Sequence, residues 1–214
     1  IRLGAPVRSC GETEAGVFVE LENGERIEGA ALVGADGLRS MVRRHVVKDG
    51  EPAYSGYTSW RGVTARDSLW PAGHMSESWG AGARFGLVAI DGGRLYWFAT
   101  ANAPALGQDK SKVGLLARFG AWHDPIRAAI ESTPDDAILR TDISDRDPIE
   151  RWSAGRITLM GDAAHPMTPN LGQGGGQAIE DAVVLDLCLS ATADIVAAFK
   201  AYETRRARRA ARVV

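Results

Sequence analysis

Residues Leu159 to Leu185 read LMGDAAHPMTPNLGQGGGQAIEDAVVL, and their order decides the fold. A short apolar run, ITLM, ends in Gly161-Asp162. Runs of that length suit a buried strand. An approach punctuated by Pro166 and Pro169 then leads to Gly174, Gly175 and Gly176, and a helical pattern follows. Strand, glycine-rich turn and helix form the unit with which open α/β sheets build ligand sites, at the carboxyl ends of their strands. Consecutive glycines offer bare backbone N–H groups, and a helix N-terminus favours negative charge. The lysine of a P-loop is absent. The expected guest is therefore a diffuse anion or a polarised carbonyl, rather than a nucleoside triphosphate with magnesium. The plain alternative is a flexible loop, against which the two stiffening prolines argue.

A second strand end carries the same chemistry. VGADGLRS, from Val33 to Ser40, places Asp36 beside Gly37. An aspartate there can accept hydrogen bonds from a sugar or polyol hydroxyl, and glycine lets backbone approach a ligand closely. Each aspartate taken alone is as well explained as a helix cap. Two such turns together with the glycine-rich one favour a ligand.

The surroundings are consistent with an α/β fold carrying an α+β layer. GVFVELENGERIEG reads as a hairpin and AALVGA as a buried strand. SMVRRHV is expected to be a short helix capped by Ser40. From about Tyr54 to Asp142 aromatic and β-branched runs predict an antiparallel sheet, with a tight turn at Asp91-Gly92-Gly93. DKSKVGLLARFGAW and DPIRAAIEST have helical spacing, with Asp124 as N-cap and Pro125 at the first helical position. The helix from about Gly174 to Leu189 shows apolar positions at Ile179, Val183 and Leu187, and the last one at Ile195, Phe199 and Tyr202.

Composition excludes several classes. The 214 residues carry a net charge of −2, so no global field draws the chain to nucleic acid or anionic membrane. No apolar run approaches the ~20 residues of a membrane span. No signal peptide is visible. Cys10 and Cys188 make no disulfide framework and have no metal-site spacing, so a reducing, cytoplasmic setting is the default. Cys188 is expected to be buried and inert. His45, His74 and His123 lack metal-ligand spacing. His165 is read as structural, hydrogen-bonded near the turn. Arginines 205, 206, 208, 209 and 212 are read as a solvated helix face rather than a nucleic-acid patch, since no aromatics interleave them. On the expected sheet, Tyr57 and Arg61 share a face by the two-residue period. Arg61 is a candidate partner for an anionic substrate or a ring oxygen, with a sheet-edge surface arginine as the alternative. Phe85, Trp97 and Phe98 floor a pocket or simply fill the core.

These residues resemble a known family: the single-component FAD-dependent monooxygenases of the aromatic hydroxylase type, in the salicylate hydroxylase, urate hydroxylase and zeaxanthin epoxidase branch. GADGLRSMVR is similar to its Asp-Gly motif, GDAAHPMTPNLGQGGGQAIEDAVVL to its Gly-Asp motif and following helix, and YSGYTSWRG to the entry of its substrate domain. The resemblance implies a partial Rossmann-like FAD/NAD(P)-binding domain and an antiparallel substrate domain. The implied segments are 1–53 with the Asp-Gly motif, 54–141 for substrate, 142–190 with the Gly-Asp motif, and 191–214 as a truncated C-terminal helix. It implies that Gly161 and Asp162 meet the flavin, with Asp162 on the ribityl chain of FAD. Asp36, with Gly37, would support the flavin and pyrophosphate region, and Arg43 would close that motif. Gly175 and Gly176 would present backbone N–H groups to the flavin C2 carbonyl, with Gly174 beside them at the cofactor. Pro169 would line the flavin where oxygen reacts, with Tyr57 and Arg61 on the substrate side. The implied reaction uses NAD(P)H and O₂ to oxygenate a small aromatic or unsaturated substrate. No nucleic acid partner is implied, and a homodimer is a candidate assembly. The family's G-x-G-x-x-G fingerprint is absent, so the resemblance implies a C-terminal part whose ADP cradle lies upstream of Ile1. Two rival readings stand beside it: a reductase or halogenase of the same fold, and an inactive fragment without FAD.

Overall fold

Gly34 ends a strand because nothing larger fits there. A Cβ built on it would lie 2.6 Å from Val42 Cβ and 3.1 Å from Leu159 Cδ2. Close approach at this point lets a helix pack onto a strand pair, and the rest of the first unit is arranged around it. The computed structural model describes residues 1–65 and 70–214, and the chain divides into two units, Ile1–Ala53 with Ser144–Val214, and Tyr54–Ile143.

In the first unit, β1 (Val7–Glu12), β2 (Val17–Leu21) and β3 (Arg26–Gly29) form an antiparallel sheet, with the expected hairpin between β2 and β3. β4 (Leu32–Gly34) leads to α1 (Met41–Val46), whose N-cap Ser40 accepts from Arg43 N as expected. The chain returns after Ile143. Between the two parts of this unit the chain forms β5 (Ala53–Ala65), β6 (Met75–Gly80), β7 (Ala83–Ile90), β8 (Arg94–Asn102), α2 (Lys112–Phe119), α3 (Ile126–Ser132) and β9 (Leu139–Asp145). The remainder is β10 (Ser153–Ala154), β11 (Ile157–Leu159), α4 (Gly174–Ala191) and α5 (Ile195–Ala210). β11 runs parallel to β4 with Leu159 beside Gly34, so both aspartate turns leave the same edge of one sheet. Phe199 and Tyr202 of α5 are buried with Trp152, Leu159 and Leu185 in one core, as the apolar spacing of α5 predicts. Gly34→Ala is expected to destabilise this unit by about 1–3 kcal/mol through overpacking, read as a lower midpoint in urea unfolding.

The second unit is a five-stranded sheet in the order β6-β7-β8-β5-β9. One face carries Trp60, Phe85, Trp97 and Leu95 against Leu115, Phe119, Ile126 and Ile130 of α2 and α3. Phe85 and Trp97 are therefore core. Phe98 belongs to the other face, where it lies over Gly86, whose Cβ would sit 2.0 Å from the ring.

Three sequence expectations are corrected. α3 starts at Ile126 with Pro125 in the capping position, one residue later than the Asp124 cap predicted, and no side chain caps it. The AALVGA strand is an edge strand with Val33 exposed, because β4 ends the sheet order β10-β11-β4. The apolar stripe of α4 faces outward: Ile179, Val183 and Leu187 are 70%, 56% and 55% exposed. The buried stripe is Gln177, Asp181, Leu185 and Cys188. The inner face carries a buried ionic network in place of leucines.

Candidate functional site

β11 ends at Leu159 and the chain turns sharply. Gly161 has φ +59°, a left-handed conformation that favours glycine. A 3₁₀ turn over Gly161–Ala163 follows, in which Gly161 and Ala163 are buried while Asp162 is exposed. Among the described residues none donates a hydrogen bond to the Asp162 carboxylate. Asp162 Oδ1 lies 4.0 Å from the position a Cβ would take on Gly174, the first residue of α4. Strand end and helix start are thus side by side.

The start of α4 is built to donate. Its N-cap, Gln173, provides no side-chain hydrogen bond, and no acidic residue occupies the first turn. Gln177 N donates to Gln173 O, which leaves the N–H groups of Gly174, Gly175 and Gly176 ahead of the helical ladder. A Cβ on Gly175 or Gly176 would meet nothing within 4 Å, so the fold has no internal need for glycine at either place. Each glycine in a helix costs roughly 0.5–1 kcal/mol relative to alanine. No contact within the chain offsets that cost among the described residues. Pro169 opens an exposed 3₁₀ turn, Pro169–Leu171, and Gly172 at φ +63° redirects the chain into α4.

The second aspartate turn does a different job. Asp36 Oδ1 accepts from Ser40 Oγ at 2.5 Å, and Oδ2 accepts from Met41 N at 2.7 Å and Val42 N at 3.2 Å. Both oxygens cap α1, so the capping reading is the one realised in this chain. Gly37, at φ +78°, supplies the left-handed corner. Arg43, which the resemblance makes the arginine closing the Asp-Gly motif, is 1% exposed and committed to protein. Its Nε donates to Asp49 at 2.7 Å, and its Nη1 donates to the carbonyls of Ala163 at 3.3 Å and Ala164 at 2.9 Å. Burial lowers the Arg43 pKa, against the opposing pull of Asp49. Arg43 therefore clamps the Gly161–Ala163 turn from inside.

Other residues missed in the sequence complete the support. Arg146, nearly buried, pairs with Asp49 at 3.3 Å and donates to Leu38 O at 3.0 Å. Asp181 accepts from Gly161 N at 2.9 Å and from His165 Nε2 at 2.6 Å. His165 is thus structural, as read. Arg206 belongs to the run read as solvated, yet it is 1% exposed and donates to Asp181 Oδ1 at 2.6 Å. Arg209 pairs with Glu180. A charged side chain whose partner lies 25 residues away leaves no local signal. Cys188 is buried as expected. Among the described residues no His, Cys, Asp and Glu cluster could hold a metal, and no helix is long and apolar enough to cross a membrane.

In the second unit the register places Arg61 opposite Phe98, and Val63 opposite Tyr96. Tyr57 and Arg61 share that face, as the two-residue period predicts. Arg61 Nη2 donates to Thr141 Oγ1 at 2.9 Å, while its buried Nε has no hydrogen-bond partner among the described residues. Tyr96 and Phe98 stand 6.3 Å apart, and burial raises the Tyr96 pKa against the nearby Arg61 charge. Arg61 thus shares its face of the sheet with two aromatic rings.

Known proteins are similar to this chain in sequence and fold. Aurachin C monooxygenase/isomerase of Stigmatella aurantiaca is 54% identical over 97% of this chain, which spans 55% of that relative. Zeaxanthin epoxidase of Solanum lycopersicum is 41% identical over 89% of this chain and 30% of its own length. The crystal structure of Klebsiella pneumoniae HpxO with FAD and uric acid superposes with a TM-score of 0.93 at 35% identity, covering 99% of this chain and 56% of that one. The chain thus spans little more than half the length of these relatives at most. Its mixed α/β architecture is that of the FAD-bound hydroxylase. The family model described as FAD binding domain matches residues 4–214, and the chain belongs to that family.

Proposed function

We propose that this chain supplies the flavin-ring side of a FAD-dependent monooxygenase, which uses NAD(P)H and O₂ to oxygenate a small aromatic or unsaturated substrate. The observation that carries the reading is the uncapped N-terminus of α4, with glycines the fold does not need, beside the exposed Asp162. Monooxygenase, epoxidase and hydroxylase are the activities in the names of its relatives, and all insert oxygen.

Bound FAD would supply hydride acceptance and oxygen activation. The chain's own residues bind and tune. Asp162 accepts from ribityl hydroxyls. Gly175 and Gly176 would donate N–H groups to the C2 carbonyl, with Gly174 beside Asp162 at the start of the helix. The α4 dipole stabilises negative charge at that edge by about 0.3–1 kcal/mol when exposed and up to ~2 kcal/mol when partly buried. Pro169 stiffens the loop that lines the ring. Arg61, whose guanidinium stands beside Tyr96 and Phe98, orients a substrate oxygen, with Tyr57 on the same face. Asp36, Gly37 and Arg43 shape and brace the turns. Partners under this reading are the substrate and NAD(P)H, in the cytoplasm, as a monomer or homodimer. The C-terminal arginines serve the α4–α5 contact through Arg206 and Arg209, which speaks against a nucleic-acid role.

The test has two arms. Gly176→Ala is expected to hold or raise the thermal midpoint, by up to about 1 kcal/mol of helix stability, while weakening FAD binding measured by flavin fluorescence. In the second arm, NAD(P)H oxidation with candidate phenols must depend on O₂ and yield oxygenated product. Oxidation that runs equally well without O₂ sinks the monooxygenase reading.

A further inference from the structure

The buried stripe of α4 carries polar groups that the flavin reading leaves without a task. A carboxylate is not buried cheaply, and it persists in an interior only when it is paired and hydrogen-bonded. Asp181 is 0% exposed and takes donors from three separate segments. Oδ2 accepts from Gly161 N at 2.9 Å and His165 Nε2 at 2.6 Å, and Oδ1 accepts from Arg206 Nε at 2.6 Å. Burial pushes the carboxyl up, but these hydrogen bonds outweigh it and hold Asp181 below the usual carboxylate range. It is therefore ionised at neutral pH.

The grip falls on the residue that matters for the turn. Gly161 is the left-handed corner from which the Asp162 peptide departs. Asp181 holds its N–H, while Arg43 holds the carbonyls of Ala163 and Ala164 on the far side. Asp162 between them stays exposed. Arg206 also donates to Gln177 Oε1 at 2.8 Å and to its backbone carbonyl at 3.2 Å, tying α5 to the first turn of α4.

The geometry points to Asp181 as the positioning residue of the flavin turn: it fixes the Gly161 peptide so that Asp162 faces outward beside Gly174–Gly176, with Arg206 of α5 holding Asp181 in place. This rests on the flavin reading of that turn. Asp181 touches no ligand and acts through Gly161. Asparagine at 181 keeps the shape but has one acceptor oxygen for three donors, so at least one donor loses its partner.

The test compares Asp181→Asn with Val17→Ala, a buried change in β2 of the same core. Three quantities are read on each: the thermal midpoint, FAD affinity by fluorescence titration, and exchange of the Gly161 amide by NMR without flavin. Asp181→Asn is expected to weaken FAD binding about tenfold or more, and to speed Gly161 exchange beyond its effect on overall stability. Val17→Ala is expected to lower the midpoint and leave FAD affinity unchanged. Equal losses of affinity in the two variants, or an unchanged Gly161 amide, overturn the inference. If Asp181→Asn does not fold, Arg206→Lys is read the same way, since it keeps the charge and loses the Nε bond. An unaltered chain that binds no FAD defeats the flavin reading itself, and Gly161 exchange then decides alone whether Asp181 holds the turn.

Discussion

Asp162→Ala is expected to weaken FAD binding by about 10- to 150-fold while leaving the thermal midpoint unchanged. The affinity figure follows from hydrogen bonds to a charged acceptor, worth roughly 1.5–3 kcal/mol. Stability is spared because Asp162 is exposed and, among the described residues, receives no hydrogen bond. The contrast is Asp36→Ala. Asp36 binds Ser40 Oγ and the N–H groups of Met41 and Val42, so its loss uncaps α1 and costs about 0.5–2 kcal/mol of stability. The two aspartates look alike in sequence, each beside glycine at a strand end. One has its carboxylate spent on the protein and the other has it available. Fluorescence titration with FAD and thermal unfolding, run on both variants, separate the roles. An Asp162→Ala chain that loses stability and keeps its affinity would assign Asp162 to the fold.

The glycine-rich turn was legible because its signals are local. A strand, a left-handed glycine, prolines and a run of glycines lie within one stretch, and each is a backbone requirement that residue type reveals. The hairpin at Asn23-Gly24 and the Ser40 cap were legible for the same reason. What stayed hidden depends on partners distant in the chain. Arg206 reads as one of five solvated arginines until Asp181 is placed opposite it. The inner face of α4 also stayed hidden, because Gln177 and Asp181 are polar and give no apolar signal. Periodicity finds the greasiest stripe, and here the fold buries the polar one. Arg43 illustrates the intermediate case: its motif marked the position, and only the carbonyls of Ala163 and Ala164 show that it braces the turn from behind.

Arg206→Met is expected to produce the largest stability loss in the molecule. Removing one partner of a buried pair leaves an uncompensated charge and costs about 3–5 kcal/mol. For a chain of this size that corresponds to roughly 6–20 °C in thermal midpoint. The pH dependence identifies the cause. In the unaltered chain Asp181 is held below the usual carboxylate range, so its contribution is fully present above that range and fades as pH falls through the folded value. Without Arg206, burial is the first of the influences on Asp181 and one of its main opponents is gone. The carboxyl then moves up, and protonation relieves the buried charge. The midpoint gap between Arg206→Met and the unaltered chain should therefore narrow on going from neutral pH to the acid side. The double variant Arg206→Met with Asp181→Asn should recover part of the loss, because no charge is left stranded. A gap that stays constant or widens with acidification, together with additive losses in the double variant, would mean that Arg206 stabilises α5 through packing of its stem and not through Asp181.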